Sequence, residues 1–325
     1  MLLRVLADLF RGAKAAEQSE NTHLARAHFA NGAAKREAGR LTEALADFSR
    51  AAELKPDESR YLVQAAEVAF LAGQPQMALD YCGRLRTIAP ELDVTDTLEA
   101  CIRLGGEHYL QVMARILEAL KPRTYVEIGV EHGTSLRLVQ PPTLAIGIDP
   151  EPKLAGPLAA NHKVFAETSD AFFASRDPRA ELGGLPIDLA FIDGMHQFEF
   201  ALRDFANLER FCSRDSTILL HDCYPLNRVT AERERRRTFW SGDIWRLIVL
   251  LKKYRPDLAI NIIATPPTGL AVVRRLDPGS RFLLENHDRL CREFLALDYA
   301  FLEDDMAGKL NLFPNDWGKV RALLG

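Results

Sequence analysis

Residues 124–135 read TYVEIGVEHGTS, an apolar β-rich run that closes on glycines at 129 and 133. Runs of the same kind recur at TLAIGID (143–149), KVFAE (163–167), IDLAFID (187–193), STILLHD (216–222), LAINIIA (258–264) and GLAVVRR (269–275), with helical stretches between them. That alternation predicts an α/β, Rossmann-like, doubly wound layer on a mainly parallel sheet of seven strands. Only TPPT (265–268) joins the last two runs. Four residues are too few for a crossover helix, so these strands form an antiparallel hairpin. Gly129 and Gly133 allow a sharp turn and close approach to a ligand, and a helix is expected to begin near Thr134.

The 325 residues exceed the usual length of one domain, and 47% apolar with 26% charged residues suits folded cores throughout. A net charge of −4 supplies no field for nucleic acid. Five cysteines without CxxC spacing fit a reducing compartment, so the expected location is cytoplasmic. The opening MLLRVLADLF is interrupted by Arg4 and Asp8. It predicts an amphipathic helix over 1–21, packed on the next helix or on a partner, rather than a signal peptide. No apolar run is long enough to span a membrane.

Between these parts the chain repeats itself. Gly39, Ala44, Leu45, Arg50 and Pro56 return 34 positions later as Gly73, Ala78, Leu79, Arg84 and Pro90. With glycine at the helix turn and proline closing the unit, residues 25–90 resemble tetratricopeptide repeats. Gly32, Phe48 and Ala51 also fall on that pattern, whereas the second unit has Ala66 and Cys82 in place of the glycine and the aromatic. A TPR-like helical domain is therefore expected over 22–105, with the neighbouring stretch Leu98–Leu120 capping it. Such repeats imply a protein partner or self-association.

In the remaining domain, 106–325, polar residues end apolar strands. Asp149 stands twenty residues after Gly129, where a carboxylate can accept from both ribose hydroxyls of an adenosine. FIDGMH and LLHDCYP bring Asp193, His196, His221 and Asp222 to the carboxyl edge of the sheet, where open α/β sheets bind ligands. The plainer reading makes the two histidines satisfied structural or surface residues. Glu131 stands at the second glycine position of GxGxxG, which disfavours a dinucleotide and with it a dehydrogenase.

Taken together, VEIGVEHGTS, GIDP, DLAFIDGMH and LLHD resemble the class I S-adenosylmethionine-dependent methyltransferases, specifically the family of macrocin-type sugar O-methyltransferases and cephalosporin-hydroxylase-like proteins. The resemblance covers roughly 124–275. It implies S-adenosylmethionine as cofactor, with Glu127, Gly129, Gly133, Thr134, Ser135, Asp149, Asp170 and Asp193 as candidate binding residues. Asp170 of ETSD would meet the adenine amino group, or else only N-cap the next helix. The resemblance also implies magnesium on Asp193 and Asp222 with His196 as general base. His221 departs from the pattern, since relatives carry a carboxylate there and imidazole is a poorer partner for a hard cation. A softer divalent metal held by Asp193, His221 and Asp222, or none, stays open.

These residues fit O-methylation of a small molecule, such as a sugar or natural product, with the metal and His196 together activating its hydroxyl. The competing reading is a non-catalytic, repeat-mediated binding protein that keeps the fold. Arg228, Arg233, Arg235, Arg236 and Arg237 either contact an anionic group on the substrate or form a solvated lid. In TFWSGDIW, Phe239 and Trp240 wall an acceptor pocket or dock the next helix, and Trp245 is the better core residue. A helix is expected over 281–297, and the final NLFPNDWGKVRALLG suits a lid or a dimer arm.

Overall fold

The computed structural model describes the chain from residue 2, with side chains from residue 17, and it divides into two compact units, one running to Arg103 and the other Leu104–Gly325. The side chains of the expected N-terminal amphipathic segment, and hence its packing, lie outside the described residues.

The first unit is all helical: α1 (Leu2–Glu37), α2 (Leu41–Leu54), α3 (Ser59–Leu71), α4 (Pro75–Ile88) and α5 (Val94–Leu104). The 34-residue period becomes two helical hairpins, with Gly39 (φ 73°) turning α1 into α2 and Gly73 (φ 71°) turning α3 into α4. Left-handed φ is what glycine tolerates and other residues resist. A Cβ on Gly32 would sit 2.9 Å from the Phe48 ring, so the ring fills the space left by the missing side chain. One period later the equivalent pair is Ala66 and Cys82, both fully buried, a larger residue matched to a smaller one. Phe48→Ala is expected to destabilise this unit by about 3–5 kcal/mol, measurable by chemical unfolding.

The second unit holds α6 (Tyr109–Leu120), β1 (Thr124–Ile128), β2 (Leu144–Ile148), β3 (His162–Phe165), α7 (Ser169–Ser175), α8 (Pro178–Glu181), β4 (Ile187–Ile192), α9 (Phe198–Glu209), β5 (Cys212–His221), α10 (Trp245–Tyr254), β6 (Ala259–Ile263) and β7 (Leu270–Arg274). It ends in α11 (Phe282–Glu285), α12 (His287–Leu295), α13 (Ala300–Glu303), α14 (Met306–Lys309), β8 (Leu312–Phe313) and α15 (Trp317–Leu324). Strand order is β3-β2-β1-β4-β5-β7-β6-β8. The first five strands are parallel, and β7 runs antiparallel between β5 and β6. Period-two alternation divides the core: Val126, Ile128, Ala190, Ile192, Ile218 and Leu220 face one side, with α9, α10 and α12. Tyr125, Leu189, Phe191 and Leu219 face the other, with α6 and α15. Burial on both faces explains the unbroken apolar runs.

Four expectations need correction. The sheet has eight strands, not seven; β8 pairs with β6 over only two residues, too short to show a period. No α-helix follows Thr134, where only a 3-10 turn, Leu136–Leu138, precedes Pro141 and Pro142, and residues before proline disfavour the α conformation. The helix expected over 281–297 breaks at Asn286 into α11 and α12. Of the stretch Leu98–Leu120, Leu98 joins the helical core, whereas Val112, Met113, Ile116 and Leu117 of α6 pack against the sheet.

Candidate active site

The carboxyl ends of β1, β2, β4 and β5 open into one cavity of about 650 Å³, within the size range of ligand pockets. Gly129 (φ 87°) sits where β1 and β4 converge, and a Cβ there would lie 2.0 Å from the Asp193 carbonyl oxygen. Gly133 (φ 73°) closes the turn, and a Cβ there would lie 2.8 Å from the Arg137 guanidinium. Thr134, Ser135, Asp149 and Asp170 line the cavity with Gly129, while Gly133 lies outside its lining.

The acids of this half are held differently from one another. Asp149 Oδ2 accepts from the amides of Val130 and Glu131, both at 2.8 Å, and Oδ1 accepts from Glu151 N at 2.7 Å. The carboxylate thus ties the β1 turn to the end of β2 and keeps acceptor capacity on Oδ1. Asp170 is not an N-cap: Thr168 caps α7, and Asp170 Oδ1 lies 2.6 Å from Arg203 Nε. Glu127 is fully buried and accepts from the hydroxyls of Tyr125 and Ser135, each at 2.6 Å. It braces the turn from beneath and does not line the cavity.

Burial, reinforced by Asp193 and Asp149, pushes the Glu127 carboxyl up to about 8 despite those two hydrogen bonds. The folded protein therefore keeps this proton well above pH 4.5, where an unconstrained glutamate loses it. Bound protons exceed those of the unfolded chain across that window, so this group makes stability fall as pH rises from about 4.5 to 8. Glu127→Gln removes that fall. Its melting temperature, relative to the parent protein, is expected to rise between pH 5 and pH 8; a constant difference would contradict the buried, protonated state.

At the other side of the cavity, β4 and β5 deliver four side chains to one point. His196 Nε2 lies 3.3 Å from Asp193 Oδ1 and 3.1 Å from Asp222 Oδ2. His221 Nδ1 lies 3.3 Å and 3.1 Å from the same two oxygens. His196 (φ 54°) and Asp222 (φ 58°) both hold left-handed backbone that non-glycine residues rarely adopt, strain typical of functional sites. Burial works to raise the Asp193 carboxyl, but the imidazoles, His221 foremost, hold it well below the usual carboxylate range. Burial also opposes the imidazoliums, yet Asp222 and Asp193 push His196 up to about 9 and His221 up to about 10.

Asp193, His196 and Asp222 each offer a ligand atom within 4.8 Å of the others, and among the described residues they form the group able to hold a metal ion. His221 is not in that group. It also lines the cavity beside the acids, its Nε2 3.3 Å from the Thr268 hydroxyl and its ring 4.0 Å from that of Tyr109. Asp222 Oδ2 is buried without a hydrogen bond of good geometry, although two imidazole nitrogens lie at 3.1 Å. Two carboxylates beside an imidazole, one of their oxygens lacking a hydrogen bond of good geometry, suit a divalent cation.

The segment after β5 is docked at its ends, whereas Glu234, Arg235, Arg236 and Thr238 in its middle are exposed. Asp243 is fully buried; its Oδ1 accepts from Phe198 N at 2.7 Å and its Oδ2 from Arg233 and Arg246 at 3.0 and 2.8 Å. Its amide donates to the His196 carbonyl at 3.2 Å, and Gly242 (φ 62°) passes so close that a Cβ would lie 1.8 Å from that oxygen. Trp240 lines the cavity and stacks on His196 with ring centroids 5.3 Å apart, while Phe239 and Trp245 are buried. Sequence reasoning missed Gly242, Asp243, Thr268 and Tyr109. Only the glycine–aspartate pair carried a local signal, that of a turn.

Residues 126–223, from β1 to just past β5, match the model of a family described as a methyltransferase domain. A comparison with curated proteins gives no significant match. Similar solved structures include the O-methyltransferase TomG of Streptomyces achromogenes in complex with S-adenosylmethionine, at 13% identity over 52% of this chain and 80% of that one (TM-score 0.39). Another is an O-methyltransferase of Bacillus cereus in complex with S-adenosylhomocysteine, at 12% identity over 60% and 96% (TM-score 0.38). The family match covers the strands that carry the cluster of acids and histidines, and it supports a methyltransferase domain in the second unit.

Proposed function

We propose that this chain is an S-adenosylmethionine-dependent O-methyltransferase of a small hydroxylated acceptor, such as a sugar, polyol or natural product. The observation that carries this reading is the gathering of Asp193, His196 and Asp222 in the same cavity as the Gly129 turn and Asp149. S-adenosylmethionine supplies an electrophilic methyl group, and it has no pyrophosphate to require GxGxxG. Asp149 would accept from its ribose through the free capacity on Oδ1, Asp170 would face the adenine, and the turn over Gly129, Gly133, Thr134 and Ser135 would hold the remainder.

His196 is the proposed base. Its Nδ1 lies 3.3 Å from the Trp240 carbonyl oxygen, and donation there leaves the lone pair of the neutral ring on Nε2, the nitrogen facing both acids. A divalent cation on Asp193 and Asp222 would lower the pKa of an acceptor hydroxyl and offset the negative field that keeps His196 protonated. His221 holds the two acids in place, and Trp240 walls the acceptor side.

In the first unit we infer tetratricopeptide-type repeats that receive a protein partner or a second copy, supported by the 34-residue spacing of the hairpin glycines. Calorimetric titration with S-adenosylhomocysteine and with NAD, each with and without magnesium, tests the enzymatic reading. Binding of the first alone is expected; binding of neither would favour a non-catalytic partner protein.

A further inference from the structure

We propose that Arg235 forms an oxyanion subsite at the acceptor end of the cavity, so that the methyl acceptor carries a phosphate or carboxylate besides its hydroxyl. This rests on the methyltransferase reading above. The charges of three neighbouring arginines are already matched. Arg228 pairs with Asp298 and Glu303, Arg233 with Glu199 and Asp243, and Arg236 with Glu232. Arg235 donates only to the backbone carbonyls of Arg237 and Thr238, at 3.2 and 3.1 Å, and no carboxylate pairs with it among the described residues. Two neutral acceptors thus aim the guanidinium without cancelling its charge, and donors remain for a planar oxyanion.

Among the described residues Arg235 is also the one lysine or arginine side chain lining the cavity. Its companions on that wall are Thr238 and Trp240, and Trp240 stacks on His196. The proposed cofactor residues, Gly129, Asp149 and Asp170, come from other strand ends. An acceptor with its hydroxyl at His196 would therefore extend its remainder toward Arg235. The segment carrying this fork is anchored: Ser241 and Gly242 donate to the Thr230 carbonyl at 3.0 and 3.2 Å, and Trp240 Nε1 donates to that of Glu232 at 2.5 Å. The other ionisable groups on the lining are carboxyls, a phenol and imidazoles, and the imidazoles of His196 and His221 already face the carboxylates of Asp193 and Asp222.

The test titrates the full chain, saturated with S-adenosylhomocysteine, with inorganic phosphate in one arm and acetate in the other, following the tryptophan indole resonances by NMR. At least one anion is expected to bind weakly and shift the Trp240 resonance; the tighter one identifies the acceptor's charged group. Arg235→Gln is expected to weaken that binding roughly tenfold, Arg235→Lys to retain part of it, and S-adenosylhomocysteine affinity to stay unchanged. Failure of both anions to bind, or undiminished binding in Arg235→Gln, overturns the proposal. So does a fall in S-adenosylhomocysteine affinity, which would assign the guanidinium to the cofactor's own carboxylate. Absence of S-adenosylhomocysteine binding in the parent protein is a separate result, and it removes the methyltransferase reading itself.

Discussion

His196→Ala is expected to lower methyl transfer about 100- to 10,000-fold while S-adenosylhomocysteine still binds. The size follows from the work assigned to Nε2. An alcohol is a weak nucleophile until its proton leaves, and that nitrogen stands 3.1 and 3.3 Å from the two acids at the same point of the cavity. The affinity for cofactor is expected to survive because the turn at Gly129 and the carboxylate of Asp149 are built by β1 and β2, which need nothing from the β4 loop's imidazole. Single-turnover rates and calorimetry on the same preparation separate the two effects. Turnover within a few-fold of the parent would dismiss His196 as the base.

The second large effect is expected from Gly242→Ala, a change of one methyl group outside the cavity lining. Alanine at φ 62° is strained, and its Cβ would meet the His196 carbonyl oxygen at 1.8 Å. The segment must lift or the β4 loop must shift, and either displaces the imidazole from the acids. Stability is expected to fall by about 2 kcal/mol. Turnover should fall about 100-fold, since misplacement by an ångström is enough for that. Thermal unfolding and kcat measured together check it; parent-like turnover would show that the docked segment does not position His196.

These two positions differ in how far the sequence disclosed them. His196 was legible because FIDGMH ends an apolar strand in polar residues, and strand ends at the carboxyl edge of a parallel sheet face one crevice. Gly242 was not, because its contact is with a carbonyl 46 positions earlier, a distance no local pattern spans. Asp149 was read as a ribose acceptor, and the fold shows it also clamping the β1 turn through the amides of Val130 and Glu131. Glu127 lies in the same motif as Gly129, yet the pleat turns it under the turn and away from the cavity, where Tyr125 and Ser135 take both its oxygens.

Local chemistry in the sequence determined the seven main strands, the antiparallel hairpin and the two helical turns at Gly39 and Gly73. Those features rest on period, chain length and backbone freedom, which neighbouring residues carry among themselves. Tertiary structure alone decided that Asp193, His196 and Asp222 lie close enough together to hold a metal ion, that Asp243 docks the end of the segment after β5 onto the His196 loop, and that Arg235 meets two backbone carbonyls. Each is an outcome of competition for partners between side chains far apart in the chain, and only the folded geometry determines which donor reaches which acceptor.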